Sequence, residues 1–245
     1  MLNHFDWPSF LPRFSIAAAA EGFSAEILMD TEDGPLMAWE RKGEGPPIYL
    51  SAGIHGDEPA GPLAVMALME TGAFPGDRHC IVCPALNPGG LSIHTRENRG
   101  GEDLNRDYLK RNSPEIAAHA RWLEGKPVPG IFVSLHEDWE TEGFYFYEIN
   151  LSGDDPSRAS KLLAAVAPYF PAEPGCEIDG HSVREPGWIC HCSEADLPDS
   201  WPEAIFLAKR GCPLSFTLET PSKAKLAERI AAHVSGFRSL LQGLG

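Results

Sequence analysis

Two histidines and two glutamates in this chain stand directly after short apolar runs. Ile48-Tyr49-Leu50-Ser51-Ala52 is followed by Gly53-Ile54-His55-Gly56-Asp57-Glu58, Ile131-Phe132-Val133-Ser134-Leu135 by His136-Glu137-Asp138, and Leu214-Ser215-Phe216-Thr217-Leu218 by Glu219-Thr220. Imidazole and carboxylate are the donors that zinc takes in hydrolytic sites, where three protein ligands, often two His and one Glu, leave a fourth position for water. A further carboxylate beside such an ion can take the proton of that water and return it to a leaving amine. His55 and Glu58 lie three positions apart across a strand-to-helix turn, so both can reach one ion, and Gly56 between them suits a tight turn. An isolated His-x-x-Glu recurs by chance, and each residue alone has an ordinary structural use. The inference rests on the set.

For the set to converge, the three apolar runs must be neighbouring strands of one sheet, because ligands of an open α/β sheet bind beyond the carboxyl ends of its strands. The pattern agrees. Strands at residues 48–52, 80–83, 131–135, 144–149 and 214–218 alternate with helical spacing at residues 59–71, from Ser113-Pro114 through Ile116, Ala120 and Leu123, after Asp155-Pro156, and at Leu226, Ile230, Val234, Phe237 and Leu241. Ser113 is placed to cap its helix. This predicts an α/β fold: a single-domain, three-layer sandwich over residues 1–245, with a mixed, mostly parallel twisted sheet and helices on both faces. Residues 1–40 read as an irregular N-terminal segment with a short strand pair around Thr31-Glu32-Asp33-Gly34. Residues 171–205, rich in Pro, Gly and Cys, read as a long loop region walling the site.

Charge and composition narrow the partners. Against 20 Lys and Arg stand 35 Asp and Glu, a net charge of −15. That field repels nucleic acid and anionic membrane surfaces. The opening residues lack a basic region followed by an apolar one, and no run nears the roughly 20 apolar residues of a membrane helix, so a cytoplasmic location is expected. Cys80 and Cys83 form a C-x-x-C inside a strand pattern with no second pair to complete a zinc knuckle, and Cys190-His191-Cys192 reads as a loop with ordinary thiols. His119 falls on an apolar helix face and reads as a hydrogen-bonded core residue. Glu137, Asp138, Glu140 and Glu142 read as a solvated acidic rim. His4, His79 and His233 offer no constellation, whereas His181 and His191 are placed to approach the cleft.

The ordered motifs His55-Gly-Asp-Glu58, Asn87-Pro-Gly-Gly90, Arg96-Glu-Asn-x-x-Gly-x-Asp103-Leu-Asn105-Arg106, Ser134-Leu-His136-Glu-Asp and Thr217-Leu-Glu219-Thr resemble the zinc carboxypeptidase family, which includes carboxypeptidase A and bacterial murein-peptide amidases. The resemblance runs from about residue 48 to 221. It implies one zinc ion on His55, Glu58 and His136, with Glu219 as catalytic base and acid. It further implies that Arg96 holds the oxyanion, with Arg99 a weaker match for that role. Asn105 and Arg106 would receive a substrate carboxylate, and Asp103 would orient His55. The implied substrate is a small peptide or amino-acid conjugate with a free carboxylate. Family members carry a tyrosine before the catalytic glutamate that closes over this carboxylate; here no tyrosine follows Tyr169, leaving Trp188 and Trp201 to fill the space. The succinylglutamate desuccinylases and aspartoacylases share much of the constellation and cleave N-acyl amino acids, which makes a deacylase the second reading. An inactive metal-binding pseudo-hydrolase is the third.

Overall fold

In the computed structural model, which describes residues 5–153 and 156–242, the chain opens with a helix where irregular backbone was expected. Helix α1 spans Trp7–Ala20. Its two prolines mislead a reading by punctuation: Pro8 occupies the first turn, where no N–H is needed, and Pro12 is tolerated four residues on. Trp7, Phe10, Phe14 and Ala18 recur at helical spacing and are buried. Phe14 packs edge-on against Trp39, with ring centroids 4.7 Å apart.

The expected strand pair follows as β1 (Ser24–Met29) and β2 (Leu36–Arg41). Then come β3 (Glu44–Ala52), α2 (Ala60–Glu70), β4 (Arg78–Cys83), α3 (Pro88–Ile93), a 3-10 turn at Leu104–Arg106, and α4 (Pro114–Glu124). The second half holds β5 (Ile131–Asp138), β6 (Tyr145–Asn150), α5 (Ser157–Val166), β7 (Glu177–Ile178), β8 (His181–Ser182), β9 (Trp188–His191), α6 (Glu203–Lys209), β10 (Leu214–Pro221) and α7 (Leu226–Leu241). The proposed opening of α5 at Asp155 falls outside the described residues. Ser113 does stand at the start of α4, but its hydroxyl donates to Asp107 at 2.7 Å instead of accepting from the helix.

Eight strands form one sheet in the order β1-β2-β4-β3-β5-β10-β6-β9. The central run β4, β3, β5 and β10 is parallel, as is β6 with β9; the β1-β2, β2-β4 and β10-β6 pairs are antiparallel. This is the mixed, mostly parallel sheet that the alternation predicts. Side chains leave a strand alternately to its two faces, and the two halves of the core follow from that. Ile48, Leu50 and Ala52 pack with residues of α1, α2, α5 and α7, including Phe14, Met66, Leu162 and Phe237. Tyr49, Ile81 and Phe132 pack on the other face with Ile116 and Leu123 of α4 and Phe206 of α6. No helix among the described residues is long and apolar enough to cross a membrane.

Candidate metal centre and active site

The three segments marked in the sequence end side by side. Strands β3, β5 and β10 are consecutive in the sheet, and Glu219 pairs directly with His136 in the parallel ladder. His55, Glu58 and His136 are all buried, and one donor atom from each lies within 4.8 Å of the other two. Nδ1 of His55 is 2.6 Å from Oε1 of Glu58, and Nδ1 of His136 is 3.0 Å from Oε2. Two imidazoles thus turn the same ring nitrogen toward one carboxylate. On the far side of His55, Nε2 meets Oδ1 of Asp103 at 3.2 Å, the outer hydrogen bond that fixes a ligating imidazole's tautomer. A buried donor set of two imidazoles and one carboxylate, braced from behind, fits a zinc-type cation.

The turn that carries His55 and Glu58 is fastened to the loop beside it by close backbone contact. A Cβ on Gly56 would lie 1.9 Å from the carbonyl carbon of Gly90, so this glycine is required by proximity. Its N–H donates to the Thr95 carbonyl at 2.9 Å. Asn87 completes the seam: its amide donates to the carbonyls of Ile54 and Arg96, and its oxygen accepts from Gly90 N–H at 2.8 Å. The Asn-Pro-Gly-Gly motif is therefore a clasp between the turn of His55 and Glu58 and the arginine loop.

The electrostatics follow from burial and neighbours. Burial alone would lower His55, but the charge of Glu58 and hydrogen bonds to its two carboxylate partners, Asp103 and Glu58, raise it to about 9. Burial would raise Glu58; the two imidazoles outweigh that and hold its carboxyl well below the usual carboxylate range. His136 is lowered, chiefly by burial. Glu219 moves the other way: burial and then the charges of Glu58 and Asp138 raise its affinity for a proton well above that of an ordinary carboxyl. Asp103 is held low by His55 and by Arg96 against the effect of its burial. Arg96 lies with Nε 3.1 Å from Asp103 Oδ2 and Nη1 3.6 Å from Glu58 Oε1.

These residues open onto a cavity of about 580 Å³. Arg96, Asn105, Arg106 and Glu219 all line it. Asn105 Oδ1 accepts from the Glu203 N–H at 3.0 Å, which leaves its amide hydrogens for a ligand. The floor is the sheet itself: Ser215, Thr217 and Glu219 of β10 alternate toward the cavity, opposite Ile149, Tyr147 and Tyr145 of β6.

Several sequence-based expectations change here. Arg99 is turned away, with Nη2 2.6 Å from Asp33 Oδ1. Trp188 is in the core, donating to Glu148 at 2.7 Å, and neither it nor Trp201 lines the cavity. The phenols there are Tyr145, which donates to Asp138 at 3.1 Å, and Tyr147, which donates to Asp179 at 2.6 Å. Their i, i+2 spacing on one strand was the available signal. Glu137 is no solvated rim residue. Strand β5 runs on through Asp138, which buries Glu137 behind the sheet, where it accepts the Ala60 N–H at 2.7 Å and pairs with Arg229. His119 is the expected core residue, between Tyr49 and Tyr108 at 2.9 and 2.8 Å.

Residues 44–124 match the succinylglutamate desuccinylase/aspartoacylase catalytic domain. A candidate metallopeptidase of Shewanella amazonensis superimposes with a TM-score of 0.85 at 25% identity, covering 98% of this chain and 94% of that one. A metallo-carboxypeptidase of Pseudomonas aeruginosa, solved with (2-guanidinoethylmercapto)succinic acid, gives a TM-score of 0.61 at 17% identity, covering 94% and 68%. The chain has the metallo-carboxypeptidase fold. Carboxypeptidase SOL1 of Arabidopsis thaliana is 29% identical over 139 residues, which is 45% of this chain and about a quarter (26%) of that protein. The fold is the one that the motif order implied, and His55, Glu58 and His136 meet in it.

Proposed function

We propose that this chain is a zinc-dependent amide hydrolase of the metallocarboxypeptidase type, acting next to a free carboxylate on a small peptide or peptide-like substrate. The observation that carries the reading is the buried donor set of His55, Glu58 and His136 with Glu219 at the adjoining register position. A zinc ion held by these three side chains would polarise an amide carbonyl and make a water acidic enough to attack it. Glu219, with its raised proton affinity, takes the water's proton and delivers it to the leaving amine. Arg96, braced by Asp103, presents a fixed positive charge where the carbonyl oxygen gains negative charge. Asn105 and Arg106 bind the carboxylate of the leaving side and so set the distance of attack. Asp103 holds His55 in the tautomer that keeps Nδ1 turned to Glu58.

The match of residues 44–124 to the desuccinylase/aspartoacylase domain supports a second reading, hydrolysis of an N-acyl amino acid by the same residues. One panel separates the two: zinc-loaded protein is given free-acid peptides, their C-terminal amides and N-acyl amino acids, with products read by mass spectrometry and the Glu219→Ala protein as blank. Cleavage of free-acid peptides but not of their amides establishes the carboxypeptidase. Cleavage of N-acyl amino acids alone establishes the deacylase. No cleavage beyond the blank in any class, with metal retained, makes the chain a binding module.

A further inference from the structure

We infer that the cavity holds a second divalent-cation site, built from His181, His191 and Asp196 on the wall facing away from the strand ends. The three residues come from separate elements. Asp179 and Gly180, both with positive φ (47° and 75°), form the two-residue turn between β7 and β8 and place His181 directly after it. His191 ends β9, in register with Ile149 of β6. Asp196 lies in the loop that follows. One donor atom from each residue lies within 4.8 Å of the other two, and all three residues line the same cavity as the first donor set.

The bonding repeats that of His55, Glu58 and His136. A single carboxylate stands between two imidazoles: Asp196 Oδ1 is 3.2 Å from Nε2 of His191, and Oδ2 is 3.5 Å from Nε2 of His181. Nδ1 of His191 lies 2.7 Å from the Cys192 carbonyl. A carbonyl oxygen can only accept, so in the neutral ring Nδ1 carries the hydrogen, and Nε2, the atom facing Asp196, is the nitrogen left for a cation that enters between them. That is the backbone bond that pre-sets a neutral imidazole as a ligand. Tyr147 packs edge-on against both rings, at 5.5 and 6.2 Å, and is itself tied to Asp179. The two imidazoles are thereby held with centroids 5.1 Å apart.

Two imidazoles and a carboxylate suit zinc and its borderline neighbours better than calcium or magnesium, which prefer oxygen donors. Three protein donors leave a tetrahedral ion one open position, and because all three residues line the cavity that position faces the substrate space. Without an ion, this wall presents the carboxylates Asp179 and Asp196. With one, those two negative charges are offset and the ion's open position can take an anionic group of a substrate.

The test is metal stoichiometry on the full chain, which needs no substrate. Protein stripped with a chelator is titrated with zinc, desalted and assayed for bound metal by elemental mass spectrometry. Two equivalents are expected for the wild type, one for His181→Ala/His191→Ala, one for His55→Ala/His136→Ala, and none for the four combined. Asp196→Asn, which preserves shape, should weaken the second equivalent at least tenfold. Thermal melts of the stripped proteins check folding; the His181 and His191 side chains, 22% and 11% exposed, lie at the edge of the fold, and melts near wild type are expected. The proposal is overturned if the wild type binds one equivalent that is lost in His55→Ala/His136→Ala and kept in His181→Ala/His191→Ala. One equivalent with the opposite dependence would uphold this site and remove the first, so the two assignments fail separately.

Discussion

The cavity has one wall woven into the sheet and another hung from its edge. The first consists of strand ends and the clasp at Gly56, Asn87 and Gly90, where His55, Glu58 and His136 are buried and backbone approaches backbone too closely for a Cβ. The second, residues 177–202, is anchored through the edge strand β9, paired with β6, and otherwise consists of two-residue strands and loops with exposed side chains such as Leu197, tied by Tyr147 to Asp179 and by Tyr108 N–H to the Trp201 carbonyl at 3.2 Å. The difference is what the proposed chemistry requires. Bond-making groups must be held within a fraction of an ångström, whereas a surface that selects a substrate can sit on a segment free to vary.

The largest effect should come from the woven wall. Glu219→Ala should lower kcat by about 10²–10⁴-fold with metal content unchanged. Asp179→Asn on the hung wall should change KM and leave kcat near wild type. Steady-state kinetics on the substrate found by the panel decides the matter; equal losses of kcat would erase the distinction between the walls. Metal affinity comes next. His136→Ala removes a donor and should weaken zinc by more than the roughly 10–100-fold expected for Asp103→Asn, which loses a bracing bond. Competition with a chromophoric chelator measures both, and an unweakened His136→Ala protein would refute the ligand assignment.

The woven wall was legible in the sequence because it is built from local patterns. A buried strand, a histidine or carboxylate at its end and a glycine where backbones touch each leave a mark within a few residues, so His55, Glu58, His136 and Glu219 could be picked out and their convergence anticipated from strand adjacency. The hung wall left only a compositional mark, a loop region with His181 and His191 near the cleft, and nothing that joined them to Asp196. His181, His191 and Asp196 are brought together by a hairpin, an edge strand and a loop, and their spacing follows no period. Glu137 was misread because a run of acidic letters looks alike whether the strand continues or stops. Helix α1 was missed because two prolines outweighed the Trp7, Phe10, Phe14 and Ala18 spacing, although the first proline sits where a helix accepts it.

One substitution made in both walls sharpens the contrast. Gly56→Ala forces a methyl group to 1.9 Å from the Gly90 backbone and should cost about 2–4 kcal/mol, with loss of metal affinity as the clasp opens. Gly180→Ala meets nothing within 4 Å, and its φ of +75° limits the cost to about 1–2 kcal/mol. Urea unfolding at constant slope measures each. A Gly56→Ala protein as stable as Gly180→Ala would mean that the clasp yields and the woven wall is softer than its contacts indicate.

A pH-dependent effect concerns the joint between the walls. Glu203 begins α6 where the hung wall re-enters the core; its N–H is held by Asn105 and its buried carboxylate by Tyr49 at 2.6 Å and Ser51 at 2.7 Å. Burial pushes this carboxyl up to about 7, against the lowering effect of those hydrogen bonds. Below about pH 4.5 the group is protonated in both native and unfolded chains and the two differ little. As pH rises toward 7 the unfolded chain releases its proton first, so native stability falls across that window by up to about 1.4 kcal/mol per pH unit. Glu203→Gln carries no titrating proton and keeps the shape. Urea midpoints of the two proteins at pH 5 and pH 7.5 should therefore converge at the acid end and separate at the neutral end, with the variant the more stable there. Parallel pH dependence would place the proton elsewhere in the cluster, with Glu203 ionised in the native state and the joint held by charge.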